Sequence, residues 1–170
     1  IQSTVRANQS AGFSIVTYSG NLTTTPGTAP TVGHGLNAAP HLIISKSRNP
    51  DGSNDGGNWF VNHSYDYSKW MRLNLTNAEQ SIASSGGGTV ANPTSSVFST
   101  YFIAGSNCNN NNYVAYCFAP VAGFSAFGTV LGTGSSDGGF AYTGFRPRFL
   151  LWRNADATGN WGIIDAERDH

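Results

Sequence analysis

Short apolar stretches separated by clusters of Gly, Pro, Asn and Asp run through this chain from end to end. Residues 13–19, 41–47, 58–63, 69–76, 96–104, 112–119, 124–131, 139–143, 148–153 and 160–165 are each rich in β-branched or aromatic side chains, the pattern of strands bounded by turns. About ten strands at this spacing predict an all-β fold, an antiparallel β-sandwich of jelly-roll or lectin-like form. Alternation in KWMRLNLT (69–76) puts Trp70, Arg72 and Asn74 on one face and Met71, Leu73 and Leu75 on the other. The second set makes the better core face, so Trp70 is expected to look outward. HLIIS (41–45) and RFLLW (148–152) are continuous apolar runs, which predicts central strands covered on both faces. TNAEQSIAS (76–84) alone has room for a helical turn or two.

The pattern also repeats. AGFSIVTYSG (11–20), HGLNAAPHLIISK (34–46) and GNWFV (57–61) return in the same order as AGFSAFGTVLG (122–132), TGFRPRFLLWR (143–153) and GNWGII (159–164). Three matched blocks in one order indicate a degenerate internal duplication, with units at 11–63 and 122–165. Neither unit could bury much alone, so both are expected to share the core of a single domain spanning 1–170. Features present in both copies serve the fold; features present in one are better candidates for function. By that rule Phe13 and Phe124 are core, Pro40 and Pro147 begin strands, and Trp59 and Trp161 fill equivalent buried positions.

Composition narrows the chemistry. The 170 residues have a formal net charge of zero and only 11% are charged, so no basic stripe exists to neutralise phosphates, and nucleic acid is not an expected partner. No apolar run reaches the roughly 20 residues of a membrane-spanning helix, so membrane insertion is not expected. The start, IQSTVRANQS, lacks a signal-peptide pattern and suggests an internal point in a longer protein. Cys108 lies in an Asn-rich loop and Cys117 in the apolar YVAYCFA, too far apart along a hairpin for a disulfide. Two free thiols are expected, with Cys117 buried. Sequons at Asn8, Asn21, Asn62 and Asn74 are accidents of an Asn/Ser/Thr-rich chain.

The unrepeated middle holds the best candidate site. NHSYDYSKW (62–70) gathers Tyr65, Tyr67 and Trp70 among Asn62, His63, Asp66 and Lys69. Aromatic faces against the C–H faces of a pyranose, with carboxylates and amides on its hydroxyls, are the chemistry of sugar recognition. Trp152 aligns with Ser45 of the first copy, so it too is unshared. Tyr65, Asp66, Tyr67, Trp70 and Trp152 are therefore the expected ligand-binding residues. DGSNDGGN (51–58) matches a calcium loop imperfectly at Asp51, Ser53 and Asp55, with Asn62 where a bidentate Glu belongs, and is better taken as a polar turn. His34 has Thr143 as its counterpart, and His34, His41 and His63 lack zinc-ligand spacing. No nucleophile motif or paired-carboxylate motif stands out. No catalytic residue, metal or cofactor is expected.

The series GFSIVTYSGN, TVGHGLNAAPHLIISK, NWFVNH, VAYCFAPVAGFSAFG, DGGFAYTGFRPRFLLWR and GNW resembles an uncharacterised β-rich domain of tail-fibre and virion structural proteins of tailed phages, many of them marine. The likeness covers nearly the whole chain, and VAYCFAPVAGFS is its most specific part. It implies a virion location, in a tail fibre or appendage assembled in the host cytoplasm. It further implies a homo-oligomer, commonly a trimer, and a role in host adhesion, with a surface glycan or lipopolysaccharide as the partner. A structural module without a ligand and a capsule depolymerase are the alternatives. No binding or catalytic residue is carried over by the resemblance.

Overall fold

The computed structural model describes residues 1–21, 29–50, 57–83, 90–101, 107 and 111–168. The chain is all-β, as its pattern predicts: among the described residues there are eleven strands and no helix. These are β1 (Ser3–Asn8), β2 (Phe13–Ser19), β3 (Thr31–Gly33), β4 (Leu42–Ser47), β5 (Phe60–His63), β6 (Lys69–Arg72), β7 (Gln80–Ser81), β8 (Val97–Ser99), β9 (Asn112–Phe118), β10 (Phe149–Trp152) and β11 (Gly162–Asp165). Seven form one antiparallel sheet in the order β1-β2-β9-β4-β5-β6-β7, while β3–β8 and β10–β11 are separate two-stranded ribbons. The Asp51–Asp55 turn, the glycine loop at 84–89 and Cys108 lie outside the described residues.

The sheet is built around β9, which pairs with β2 on one side and β4 on the other. Its register sets large side chains beside small ones on the covered face. Tyr113 lies between Tyr18 and Ser47, Ala115 between Val16 and Ser45, and Cys117 between Ser14 and Ile43. The small residues leave room for a second layer, in which Val32 of β3, Leu36, Tyr67 and Phe98 of β8 pack on Val16, Tyr18 and Ile43. The rings of Tyr18 and Tyr113 stack at 5.2 Å, and Phe98 meets Tyr18 edge-on at 6.2 Å. A second cluster, Phe60, Trp70, Ile82 and Tyr101, closes the β5–β7 end. This arrangement fits the expected sandwich. The opposite face carries a half-buried aromatic strip of Phe13, Trp59, Tyr116, Phe118 and Phe127.

The two segments matched in the sequence share local geometry. β4 pairs with β5, and β10 with β11, in the same register: Ile43↔Asn62 corresponds to Leu150↔Ile164, and Ser45↔Phe60 to Trp152↔Gly162. The turn glycines agree as well, Gly12 and Gly123 at φ 63° and 75°, Gly35 and Gly144 at 70° and 79°. Each unit also carries a cation at the matching position over its Gly-Asn-Trp indole, Lys46 over Trp59 at 5.1 Å and Arg153 over Trp161 at 5.4 Å.

Several expectations fail at the second copy. Its residues 124–131 and 139–143 form no strand, because no neighbouring strand offers them a ladder. RFLLW is not central: β10 pairs with β11 on one side and, among the described residues, with no strand on the other. Phe124 is exposed and not core, while Trp59 and Trp161 are half-buried, each leaving one face to its cation. Residues 76–83 hold β7 and turns in place of a helix, since β6 recruits Gln80 and Ser81 into the sheet. HLIIS, by contrast, is the central strand it was expected to be.

Candidate functional site

The segment 62–70 crosses from β5 to β6 by a turn at 64–68, and the turn sorts its aromatics into different surroundings. Asp66 accepts hydrogen bonds from the Ser68 amide at 3.1 Å and from its hydroxyl at 2.5 Å, an Asx turn that reverses the chain. Tyr67 is driven inward by that reversal. It is buried in the main core, and its hydroxyl donates to the Ser99 carbonyl at 3.3 Å. Burial pushes its phenol pKa well above the ordinary value. Trp70 is buried as well, contrary to the outward expectation, against Phe60 at 5.0 Å. Met71 is buried on the other face too, and the strand ends at Arg72, so the expected alternation does not extend to Leu73 and Leu75. Arg72, on the same face as Trp70, lies with its guanidinium 4.4 Å from that ring and donates to Gln80 Oε1, so it roofs the indole. Tyr67 and Trp70 thus belong to two separate core clusters and share no groove with Tyr65.

Tyr65 alone of the three is open to solvent, 72% exposed, with its ring stacked on His63 at 6.3 Å and 22°. His63 is fixed from below, since its Nε2–H donates to Glu79 Oε1 at 2.6 Å. Glu79 Oε2 takes Lys69 Nζ at 3.1 Å, and Lys69 reaches Asp66 Oδ2 at 3.5 Å. The result is a chain of alternating partners, Asp66–Lys69–Glu79–His63, under and beside an exposed phenol. Glu79 holds the Lys69 ammonium above its usual pKa, and the Ser68 hydroxyl, with Lys69 behind it, holds the Asp66 carboxyl below its own. A general acid requires the opposite shift, so Asp66 is suited to accepting hydrogen bonds from a ligand and not to donating a proton. The His63 Nδ1 is buried and has no hydrogen-bond partner.

Glu79 escaped the sequence reading, and His63, though noted within the segment, was not among the expected ligand-binding residues. Glu79 arrives from a distant turn through the β6–β7 pairing, and its amide is tied to the Ala155 carbonyl at 2.9 Å. No local signal announces that meeting.

Trp152, the remaining expected ligand contact, sits on β10 and is half exposed. Its indole lies flat over Gly162, where a Cβ would come within 2.3 Å of the ring. Among the described residues no three His, Cys, Asp or Glu side chains converge as a metal site. His34 is a buried structural residue: Nε2–H donates to the Thr94 carbonyl at 3.1 Å and Nδ1 accepts from the Leu36 amide at 3.3 Å. Cys117 is buried and free, as expected, and burial lifts its thiol to about 12.

A shallow open depression of about 490 Å³ lies at the β1–β2–β9 edge, lined by Ser3, Thr4, Thr17, Ser19, Arg48 and Asn112 among others. It is rich in hydroxyls, but Tyr18, the aromatic residue on its wall, is buried.

No curated protein matches this sequence, and no solved structure matches it. A family model does match, over residues 1–170. The chain accordingly belongs to the family described as a domain of unknown function, DUF7483.

Proposed function

We propose that this domain is a non-enzymatic adhesion module of a virion tail fibre or appendage, and that it holds a host-surface glycan, the sugars of a lipopolysaccharide included. The virion setting rests on the sequence resemblance. The ligand class rests on one observation: Tyr65 presents an open ring whose underside is fixed by His63, beside the charged groups of Asp66 and Lys69. A ring held from below meets a pyranose face without first losing rotamer freedom. The adjoining carboxylate and ammonium can accept from and donate to sugar hydroxyls. Trp152, supported by Gly162, offers a second aromatic face of the same kind.

A glycan array and host-cell adsorption test this reading. The wild-type chain should bind a defined set of glycans, and Tyr65→Ala should weaken that binding about tenfold or more. Stability should stay within about 0.5 kcal/mol, because the side chain is exposed. A wild-type protein that binds no glycan and adsorbs to no cell overturns the reading in favour of a purely structural virion module. Release of sugar fragments from a bound polysaccharide would overturn the non-enzymatic part.

A further inference from the structure

The outer face of the seven-stranded sheet ends in a polar corner that the Tyr65 site does not use. The open depression of about 490 Å³ lies there, within the roughly 300–1,000 Å³ of small-ligand sites. Register places Thr4 opposite Thr17 and Ser19 opposite Asn112. Arg48 follows Ser47, the partner of Tyr113, and its amide donates to the Asn112 carbonyl at 2.7 Å. Ser19, Asn112 and Arg48 therefore form one row across β2, β9 and the end of β4, about 10 Å between its outer backbones. Ser19 Oγ donates to Asn112 Oδ1 at 2.8 Å, which steadies the amide. The Arg48 guanidinium and the Thr4 and Thr17 hydroxyls have no hydrogen-bond partner among the described residues. Charge on this face has one sign. β1, β2, β4 and β9 contain no Asp or Glu, whereas Arg6 and Lys46 join Arg48 on the outer side. No carboxylate lines the depression.

We propose that this corner binds an acidic sugar, its carboxylate paired with Arg48 and its hydroxyls with Thr4, Thr17, Ser19 and Asn112. A guanidinium presents a planar fork that takes both oxygens of a carboxylate. Hydroxyls and an amide both donate and accept, as the hydroxyls of a sugar require of their partners. Strand positions hold these groups at fixed spacing, so little order is lost when a ligand arrives. The one aromatic residue of the wall, Tyr18, is buried, so no ring is offered for stacking. That disfavours single-stranded nucleic acid, which is held by its stacked bases, and leaves charge and hydroxyl bonds as the means of recognition. The corner lies at the β1 end of the strand order and Tyr65 at the β5–β6 turn, so this site is separate and does not rest on the reading made for Tyr65.

Titration calorimetry of the whole chain tests this, with galacturonate and sialate trimers as probes and a galactose trimer as the neutral control. At least one acidic trimer should bind about tenfold or more tighter than the control, the size of one charge-assisted contact. Arg48→Gln should abolish that difference, and Arg48→Lys should keep part of it, because the charge remains without the fork. On the wild type, amide chemical-shift changes should centre on Thr17, Ser19 and Asn112, a readout that needs no variant to fold. Tyr65→Ala should leave acidic-trimer binding unchanged, and Arg48→Gln should leave neutral-glycan binding at Tyr65 unchanged, so the two readings fail separately. Equal binding of acidic and neutral trimers, binding of neither, or unchanged binding in Arg48→Gln overturns the proposal. So does inorganic phosphate binding as tightly as the acidic trimers, which makes the corner a simple anion site, or a tighter hold on a single-stranded oligonucleotide.

Discussion

β4–β5 and β10–β11 are the same hairpin placed in two environments. They share register, a leading proline, turn glycines with positive φ and a cation above an indole. They differ in what lies beside them. β4–β5 is flanked by β9 and β6 and faced by a second layer, whereas β10–β11, among the described residues, pairs with no further strand and bonds to other parts of the chain through Arg153, Trp161 and the 155–159 loop. What the two copies keep in common is therefore what makes the hairpin, and what they have lost is what buries it. Local geometry and burial are separable properties of one motif.

The comparison breaks most readily at its buried member. Phe60→Ala should cost about 3–5 kcal/mol in urea unfolding, since the ring is fully enclosed by Trp70, Ile82 and Tyr101. Its counterpart is already a glycine, Gly162; a cost near zero at Phe60 would mean that the two sites are energetically alike. Next in size is the matched pair Ile43→Ala and Leu150→Ala. The first should cost about 2–5 kcal/mol and the second about 1 kcal/mol or less. Equal costs would show that the ribbon is covered within the chain.

Two smaller effects sharpen the contrast between anchors. Arg153→Met should destabilise by about 1.5–3 kcal/mol, because a charged donor is removed from several carbonyls. Lys46→Met should cost about 0.5–1 kcal/mol, since its cation–π contact and its hydrogen bond to the Gly57 carbonyl are both exposed. The reverse order would make Lys46 the structural anchor. The smallest effect is a pH slope. Burial holds the His34 imidazole below its usual pKa, with the Thr94 bond partly offsetting this. Above about pH 6.5 neither state is protonated there; below it the unfolded chain takes the proton first, so stability falls as pH drops from 7 towards 5. His34→Thr, which installs the residue of the second copy, should flatten that slope. An unchanged slope in the variant would assign it to other groups.

Much of the fold was legible because apolar and polar residues separate cleanly along β2, β4 and β9. The strands that escaped notice have little to show. β1 is a largely polar edge, β3 spans three residues and β7 only two. Trp70 was misplaced because Met71, Leu73 and Leu75 looked the better core face, whereas Arg72 spreads over the indole and carries its charge out to Gln80. At the candidate site Tyr65 and Asp66 were within reach of local pattern. Glu79 was not, since its place beside His63 depends on how two strands pair across the sheet. The duplication was plain in sequence, but its unequal burial was not: the two hairpins have equally apolar strands, and neighbours decide which of them is covered.

β9 sets the order in which the molecule can be made. It joins β2 to β4 through pairings that reach back from residues 112–118 to 13–19 and 42–47, so the sheet cannot close until most of the chain exists. At about 5–20 residues per second, a ribosome leaves β2 and β4 waiting for several seconds, each with an unsatisfied edge. Such long-range closure places folding in the slow, millisecond-to-second class typical of all-β topologies. The waiting edges are the part of the nascent chain most open to wrong partners. The ribbon β10–β11, synthesised after β9 and paired only between strands close in sequence, has no such delay.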